Sequence, residues 1–308
     1  MTTSNASAAK AQPKECLFKN APQERHWVGD GFFVSSLITP DPKVHGHYDP
    51  FILLDYAAPK DFSASTKQRG VGEHPHRGFE TVTFAIQGEI SHRDSGGGGG
   101  TIMAGGCQWM TAGRGVVHEE LFSKEFSARG GTLEMVQVWV NLPAKHKMTT
   151  PRYQGFADAV IPTVTLADTV TAKVFAGALR DVRGPCSTHT PINVYDVQFS
   201  EKSGPALKRE VTLDLPAGSN TLALVLRGNM TIGGQDVATG EIAVLGQEGV
   251  VVTIGTTDQH ARVLVLNGQP IKEPIVAHGP FVMNTTAEIE QAIGDYRSGK
   301  MGHLGSSR

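Results

Sequence analysis

The sequence predicts an all-β protein built from two successive antiparallel units, each a sandwich or barrel, with one helix near its C-terminal end. Three observations carry this. First, 36 glycines and 17 prolines cut the 308 residues into short apolar runs, the punctuation of a turn-rich β protein. Second, strand-like runs follow one another from Trp27: "GFFVSSLI", "PFILLDY", "ETVTFAIQG", "TIMAGG", "CQWMTAG" and "EMVQVWVNLP". Third, the rhythm resumes after Pro151 with "AKVFAGAL", "INVYDVQF", "REVTLDL", "TLALVLRG", "EIAVLG", "GVVVTIG" and "ARVLVLNG".

The polar stretch "AKHKMTTPRYQG", residues 144–155, has no alternation and marks the division between the sets. The expected organisation is a flexible tail over 1–26, a first barrel over 27–150 and a second over 151–308. The phrases "TVTFAIQGEISH" (81–92) and "TLALVLRGNMTI" (221–232) echo each other, a weak sign of internal duplication. The helix is expected at about 285–299. Thr285 stands three residues before Glu288, a capping box, and Ile289, Ala292, Ile293 and Tyr296 form one apolar stripe before Gly299. That stripe implies docking against a barrel.

Composition removes several function classes. Charge is balanced at −2, with 28 basic and 30 acidic residues and no basic block, so nothing points to nucleic acid. No apolar run approaches the roughly 20 residues a membrane span needs. The N-terminus "MTTSNASAAKAQPK" lacks the apolar segment of a secretory signal. Cys16, Cys107 and Cys186 are few and far apart, which fits a reducing cytoplasm rather than a disulfide framework.

The chemistry concentrates in two short stretches. "HPHRGFETVTF" (74–84) places His74 and His76 two apart, hence on one face of a strand. The even positions that follow, Val82, Phe84 and Ile86, are apolar, so this side reads as the barrel interior, where unpartnered imidazoles are costly. "GRGVVHEELF" repeats the device: His118 and Glu120 share a face and Glu119 points the other way. If the two strands lie side by side, three imidazoles and a carboxylate converge. Such a nitrogen and oxygen set with open positions suits a divalent first-row metal, non-haem iron better than structural zinc.

Other groups compete for the role. Glu80 lies four residues after His76, and parity allows it to face inward. His45 and His47 form another alternating pair, among prolines and glycine, and read as a loop or pocket rim. His92 and Asp94 also alternate but lead into a hairpin. The run Gly96–Gly100 lacks the Lys-Ser/Thr ending of a phosphate loop and reads as a flexible β-turn. Cys107 and Trp109 read as inert core residues, His189 and His260 as isolated structural histidines. Phe79 and Phe84 are candidates for either the pocket wall or the core. The second barrel carries no comparable histidine pair and is expected to bind no metal.

The segments "HPHRGFETVT", "QWMTAGRGVVHEE", "VQVWVNLP" and "GPFVMNTTAEIEQAIGDY", in that order, resemble the pirin family of the cupin superfamily, over a span from about Trp27 to about Gly302. The resemblance implies a bicupin, two tandem antiparallel cupin β-barrels with one metal, usually iron, in the first. Matched position by position, the family's ligands fall on His74, His76, His118 and Glu120, the set that strand parity gives independently. In place of Glu80, which many other cupins would use, the family's carboxylate falls on Glu120, leaving Glu80 a supporting or structural role. The ligand types leave nickel, copper, manganese and zinc open beside iron.

Resemblance to pirins further implies a quercetin 2,3-dioxygenase-like oxidoreductase, taking flavonols and O2 and releasing carbon monoxide. Glu120 is then the catalytic base for the flavonol hydroxyl. A different class is an iron-dependent redox-sensing protein that modulates a transcription factor or metabolic enzyme through a protein partner. The third reading is a cupin whose metal is purely structural.

Overall fold

The computed structural model describes residues 12–40, 45–201 and 208–305. The first unit is built from two sheets. One has seven strands in the order β12-β9-β6-β11-β4-β3-β2, where β2 is His26–Val28, β3 Phe32–Ile38, β4 Phe51–Phe62, β6 Phe79–Gln87, β9 Cys107–Thr111, β11 Gly131–Asn141 and β12 Arg152–Phe156. The other has four, β5-β10-β7-β8, with β5 Gly70–His76, β7 Glu89–Asp94, β8 Gly99–Met103 and β10 Val116–Phe122. A one-and-a-half-turn helix, α1 (Lys124–Arg129), carries the chain from β10 to β11, its first turn capped by Ser123.

The second unit repeats the plan. Its seven-stranded sheet runs from β1 (Cys16–Asn20) through Ile242–Leu245, Asn220–Arg227, Ala261–Gly268, Ile192–Phe199 and Val170–Ala176 to Thr163–Ala167. Its four-stranded sheet is Arg209–Asp214, Val251–Thr256, Met230–Ile232 and Gln235–Val237. The all-β, two-unit architecture is thus as the sequence predicts, but neither unit is a barrel closed by hydrogen bonds. Each is a pair of sheets enclosing its own core.

Three apolar layers hold the molecule together. Phe32, Ala85, Ile90, Phe122 and Met135 fill one end of the first sandwich. Tyr195, Val197, Leu213, Val225 and Ile254 fill the second. Between them the two seven-stranded sheets pack back to back, with Val82, Phe84, Val136 and Val138 of the first against Phe175, Val194, Leu224 and Leu264 of the second. The thiols of Cys107 and Cys186 meet in this layer with sulfurs 3.6 Å apart, both free, though far apart in sequence.

This middle layer overturns the expected parity. Val82, Phe84 and Ile86 face the second unit, not the interior of the first; the odd residues Thr83 and Ala85 face inward. The cause is a corner. β5 ends at His76, Gly78 adopts φ 89° and β6 begins on the opposite sheet at Phe79, so alternation does not carry through. A Cβ on Gly78 would lie 2.0 Å from the Val282 carbonyl oxygen, so only glycine fits the corner.

Two strands join parts of the chain that the sequence assigns to separate regions. β1, in the stretch expected as a flexible tail, pairs with Ile242–Leu245 of the second unit. It is short and mostly exposed, held by backbone hydrogen bonds that hydropathy does not register. Residues 1–11 of that stretch lie outside the described residues. β12, beyond Pro151, extends the first unit's sheet by pairing with β9.

The final helix, α2 (Thr286–Arg297), has Thr285 as its N-cap, accepting from the Glu288 amide, while the Glu288 carboxylate accepts from the Asn284 amide. Its stripe docks on the first unit: Ile289 and Ala292 pack with Val117, Phe281, Met283 and Met301. Among the described residues no helix is long and apolar enough to cross a membrane.

Candidate metal centre

β10 is the central strand of the site, flanked by β5 and β7. In its antiparallel register His118 lies opposite His74 on one side and Asp94 on the other, and Glu120 lies opposite His92. Cross-strand partners present side chains to the same face. His74, His76, His118, Glu120, His92 and Asp94 therefore share one surface. Glu119 turns outward, where Arg93 donates to it at 3.0 Å. A bulge between His118 and Glu120 shifts the pairing, so that Glu120 faces Val71.

The three imidazoles offer ligand atoms that all lie within 4.8 Å of one another. Their tautomers follow from their partners. His74 Nδ1 is 2.8 Å from the Gly72 carbonyl and His76 Nδ1 is 3.3 Å from the Pro280 carbonyl. A carbonyl only accepts, so Nδ1 carries the proton in both rings and Nε2 keeps a lone pair. His118 is fully buried, and its Nε2 has no partner among the described residues. Burial, reinforced by the neighbouring imidazoles, holds His76 and His118 well below the ordinary histidine range, which keeps them in the neutral form a metal requires. Three aligned nitrogens, one of them an orphan in the interior, fit a divalent metal.

Glu120 stands beside this group and outside its 4.8 Å limit. Its carboxylate is gripped from the opposite sheet by a row across three strands, where Thr83 pairs with Gln108 on β9 and Gln137 on β11. Oε1 accepts from Gln108 Nε2 at 2.5 Å and Thr83 Oγ1 at 3.1 Å, while Oε2 accepts, among the described residues, from Gln137 Nε2 alone at 2.7 Å. Oε2 thus retains acceptor capacity.

His74, His76 and Glu120 line part of a cavity of about 360 Å³. Its walls come from Phe32, Leu53, Met135 and Trp139, with Ser36 and Asp55 as a polar patch. Burial raises the Asp55 carboxyl, against a hydrogen bond donated by Ser36 at 2.5 Å. Of the aromatic wall candidates, Phe84 packs on Phe175 in the middle layer and Phe79 on Trp139 in a separate cluster. Trp139 takes the wall position instead, because inward-facing residues of β11 alternate as Met135, Gln137 and Trp139.

The competing residues are accounted for. Glu80 is buried on the opposite face of β6, accepts from Thr111 Oγ1 at 2.6 Å, and is pushed up to about 7 by burial. His45 and His47 lie in a single 3-10 turn, and His189 packs against His146 with ring centres 4.9 Å apart and planes tilted by 42°. His92 and Asp94, in contrast, belong to the site: their signal was two polar residues on one strand face before a run of glycines, but only the pairing of β7 with β10 gives it meaning.

Comparison with known proteins agrees with this geometry. Residues 35–140 match the Pirin family model, and residues 206–302 match that of the Pirin C-terminal cupin domain. A Pseudomonas aeruginosa protein provisionally named quercetin 2,3-dioxygenase is 47% identical over 285 residues, covering 92% of this chain and 96% of its own. A pirin-like protein of Solanum lycopersicum is 38% identical over 277 residues, covering 89% of this chain and 88% of its own. The crystal structure of a quercetin 2,3-dioxygenase from Acinetobacter baumannii superimposes with a TM-score of 0.88 at 46% identity, covering 95% of this chain and 100% of that one. A tandem pair of cupin units, three inward imidazoles in the first and matches of this extent place the chain in the pirin family.

Proposed function

We propose that this protein is a metal-dependent dioxygenase that opens the ring of flavonols such as quercetin with O2 and releases carbon monoxide. The observation that carries the reading is a cluster of three imidazoles with the clamped Glu120 carboxylate beside it, where His74, His76 and Glu120 line a largely apolar cavity. Its relatives' names support the substrate class. His74, His76 and His118 would hold the metal, iron being what the family resemblance implies, with Glu120 as fourth ligand through the lone pair left on Oε2. Bound there, the metal supplies Lewis acidity that lowers the pKa of a flavonol's 3-hydroxyl, and open positions for the reactants.

The rest falls to the chain. The single acceptor site left on Glu120 Oε2 would either bind the metal or take the hydroxyl proton, and Gln108, Thr83 and Gln137 hold the carboxylate so that little reorganisation is needed. Phe32, Leu53, Met135 and Trp139 receive a flat aromatic ligand and exclude water. Asp55 and Ser36 offer partners to a phenolic hydroxyl away from the reacting ring. Anaerobic addition of quercetin should shift its absorption band in metal-loaded protein and not in metal-free protein. Admission of air should then consume O2 and release carbon monoxide. A loaded protein that neither perturbs quercetin nor consumes O2 would end the proposal.

A further inference from the structure

His74 and His76 each have a backbone carbonyl to fix the Nδ1 proton, but His118 has none. Its Nδ1 faces another imidazole, His92 Nδ1, at 3.3 Å. Between two like nitrogens, either can donate, so something further along must choose. His92 Nε2 lies 3.1 Å from Asp94 Oδ2. A carboxylate accepts, so His92 Nε2 carries the proton, its Nδ1 must accept, and His118 Nδ1 must donate. The only lone pair left on His118 is then Nε2, the orphaned atom among the other two imidazoles.

Asp94 is itself fixed. Its Oδ1 accepts from the Gly96 amide at 2.8 Å and the Gly98 amide at 2.9 Å, so Oδ2 is the oxygen left for His92. A Cβ on Gly98 would lie 2.4 Å from Asp94 Oδ2 and from Tyr153 Cβ, so the turn closes on the carboxylate only with glycine there. Tyr153 stacks on His92 with ring centres 4.6 Å apart and planes 17° apart, which sets the imidazole plane.

We propose that Asp94 and His92 are positioning residues that impose on His118 the tautomer able to bind metal, with the Gly96–Gly98 turn as their anchor. The inference rests on the metal reading of the three histidines. Supporting groups of this kind orient a ligand and raise its basicity.

Asp94→Asn is the discriminating variant. The two glycine amides retain the asparagine oxygen at the Oδ1 site, which turns its NH2 toward His92. His92 Nε2 must then accept, its Nδ1 must donate, and the His118 proton moves to Nε2, where the metal has to sit. Zinc(II) affinity, measured by competition with a chromogenic chelator, should fall about 10- to 100-fold, the usual cost of losing such a partner. Nitrogen–proton correlation spectra of the metal-free proteins should show the His118 proton on Nδ1 in the parent and on Nε2 in the variant. His92→Phe, which keeps the stack on Tyr153, should weaken zinc by a similar factor and covers the case in which Asp94→Asn does not fold. Thermal melting of the metal-free variants separates this from loss of fold. Parental zinc affinity in both variants, or His118 still protonated on Nδ1 in Asp94→Asn, would overturn the inference alone. A parent protein that binds no zinc would overturn the metal centre with it.

Discussion

Arg77 Nη1 and Asp295 Oδ2 meet at 2.9 Å, joining the residue after His76 to a helix 218 positions further along the chain. Both side chains are nearly buried, and Arg77 also donates to the Arg114 carbonyl. The pair fastens α2 to the strand that carries two of the three imidazoles.

Asp295→Ala should therefore destabilise the protein by about 3 kcal/mol, since it leaves a guanidinium buried without its carboxylate. Hydrogen bonds from Lys300 and Arg77 hold the Asp295 carboxyl at about 2, below its ordinary 3.8. A carboxyl lowered on folding stabilises fully above its unfolded value, and the contribution disappears as pH falls through the folded one. The parent should thus lose this increment between about pH 4 and pH 2, and the variant should not. Melting curves across that range check both statements.

Glu80 behaves in the opposite sense. Burial raises its carboxyl from 4.5 to about 7, so the folded state binds the proton more tightly than the unfolded one. Its contribution is present below about pH 4.5 and is lost as pH rises through 7, a change of up to about 3 kcal/mol. Glu80→Gln keeps the acceptor for Thr111 and cannot ionise. It should match the parent near pH 4.5 and exceed it in stability at pH 8 to 9; equal denaturant midpoints at the higher pH would refute the assignment.

Glu120→Gln tests the proposed base. The glutamine preserves volume and one acceptor for its clamp, so the protein should still take up metal through the histidines. Turnover of flavonol should fall about 100- to 10,000-fold, the range for removal of a general base. Full activity in the variant would remove Glu120 from the chemistry.

Metal removal distinguishes the catalytic reading from a purely structural one. The imidazoles are placed by β-ladder pairing and by Gly72, Pro280 and His92, all present without an ion. Chelated protein should keep a cooperative melt and a folded circular-dichroism spectrum. Saturating metal should add about 2.7 kcal/mol at one hundred times its dissociation constant. Elemental analysis should give one ion per chain. Unfolding on chelation would favour the structural role.

The sequence made the two alternating pairs legible because alternation is local: His74 with His76 and His118 with Glu120 each lie on one short strand. What it left hidden was set by long-range pairing. His92 and Asp94 gain meaning only because β7 lies beside β10, and Gln108 and Gln137 because the opposite sheet passes over Glu120. The inside face of β6 was misread because the parity of β5 was carried around the corner at Gly78. A second sandwich packed on the outer face then made that face as apolar as a core. β1 escaped notice because an exposed strand at a sheet edge needs no apolar face of its own.

The Pro280 carbonyl that orients His76 arrives from 204 positions further along the chain. During synthesis the first two imidazoles emerge from the ribosome some two hundred residues before the group that sets one of them. A nascent or prematurely terminated chain lacking that proline would present an unfinished cradle. Completion of the cradle therefore waits until translation has passed Pro280, and products truncated before it should be poor at capturing metal.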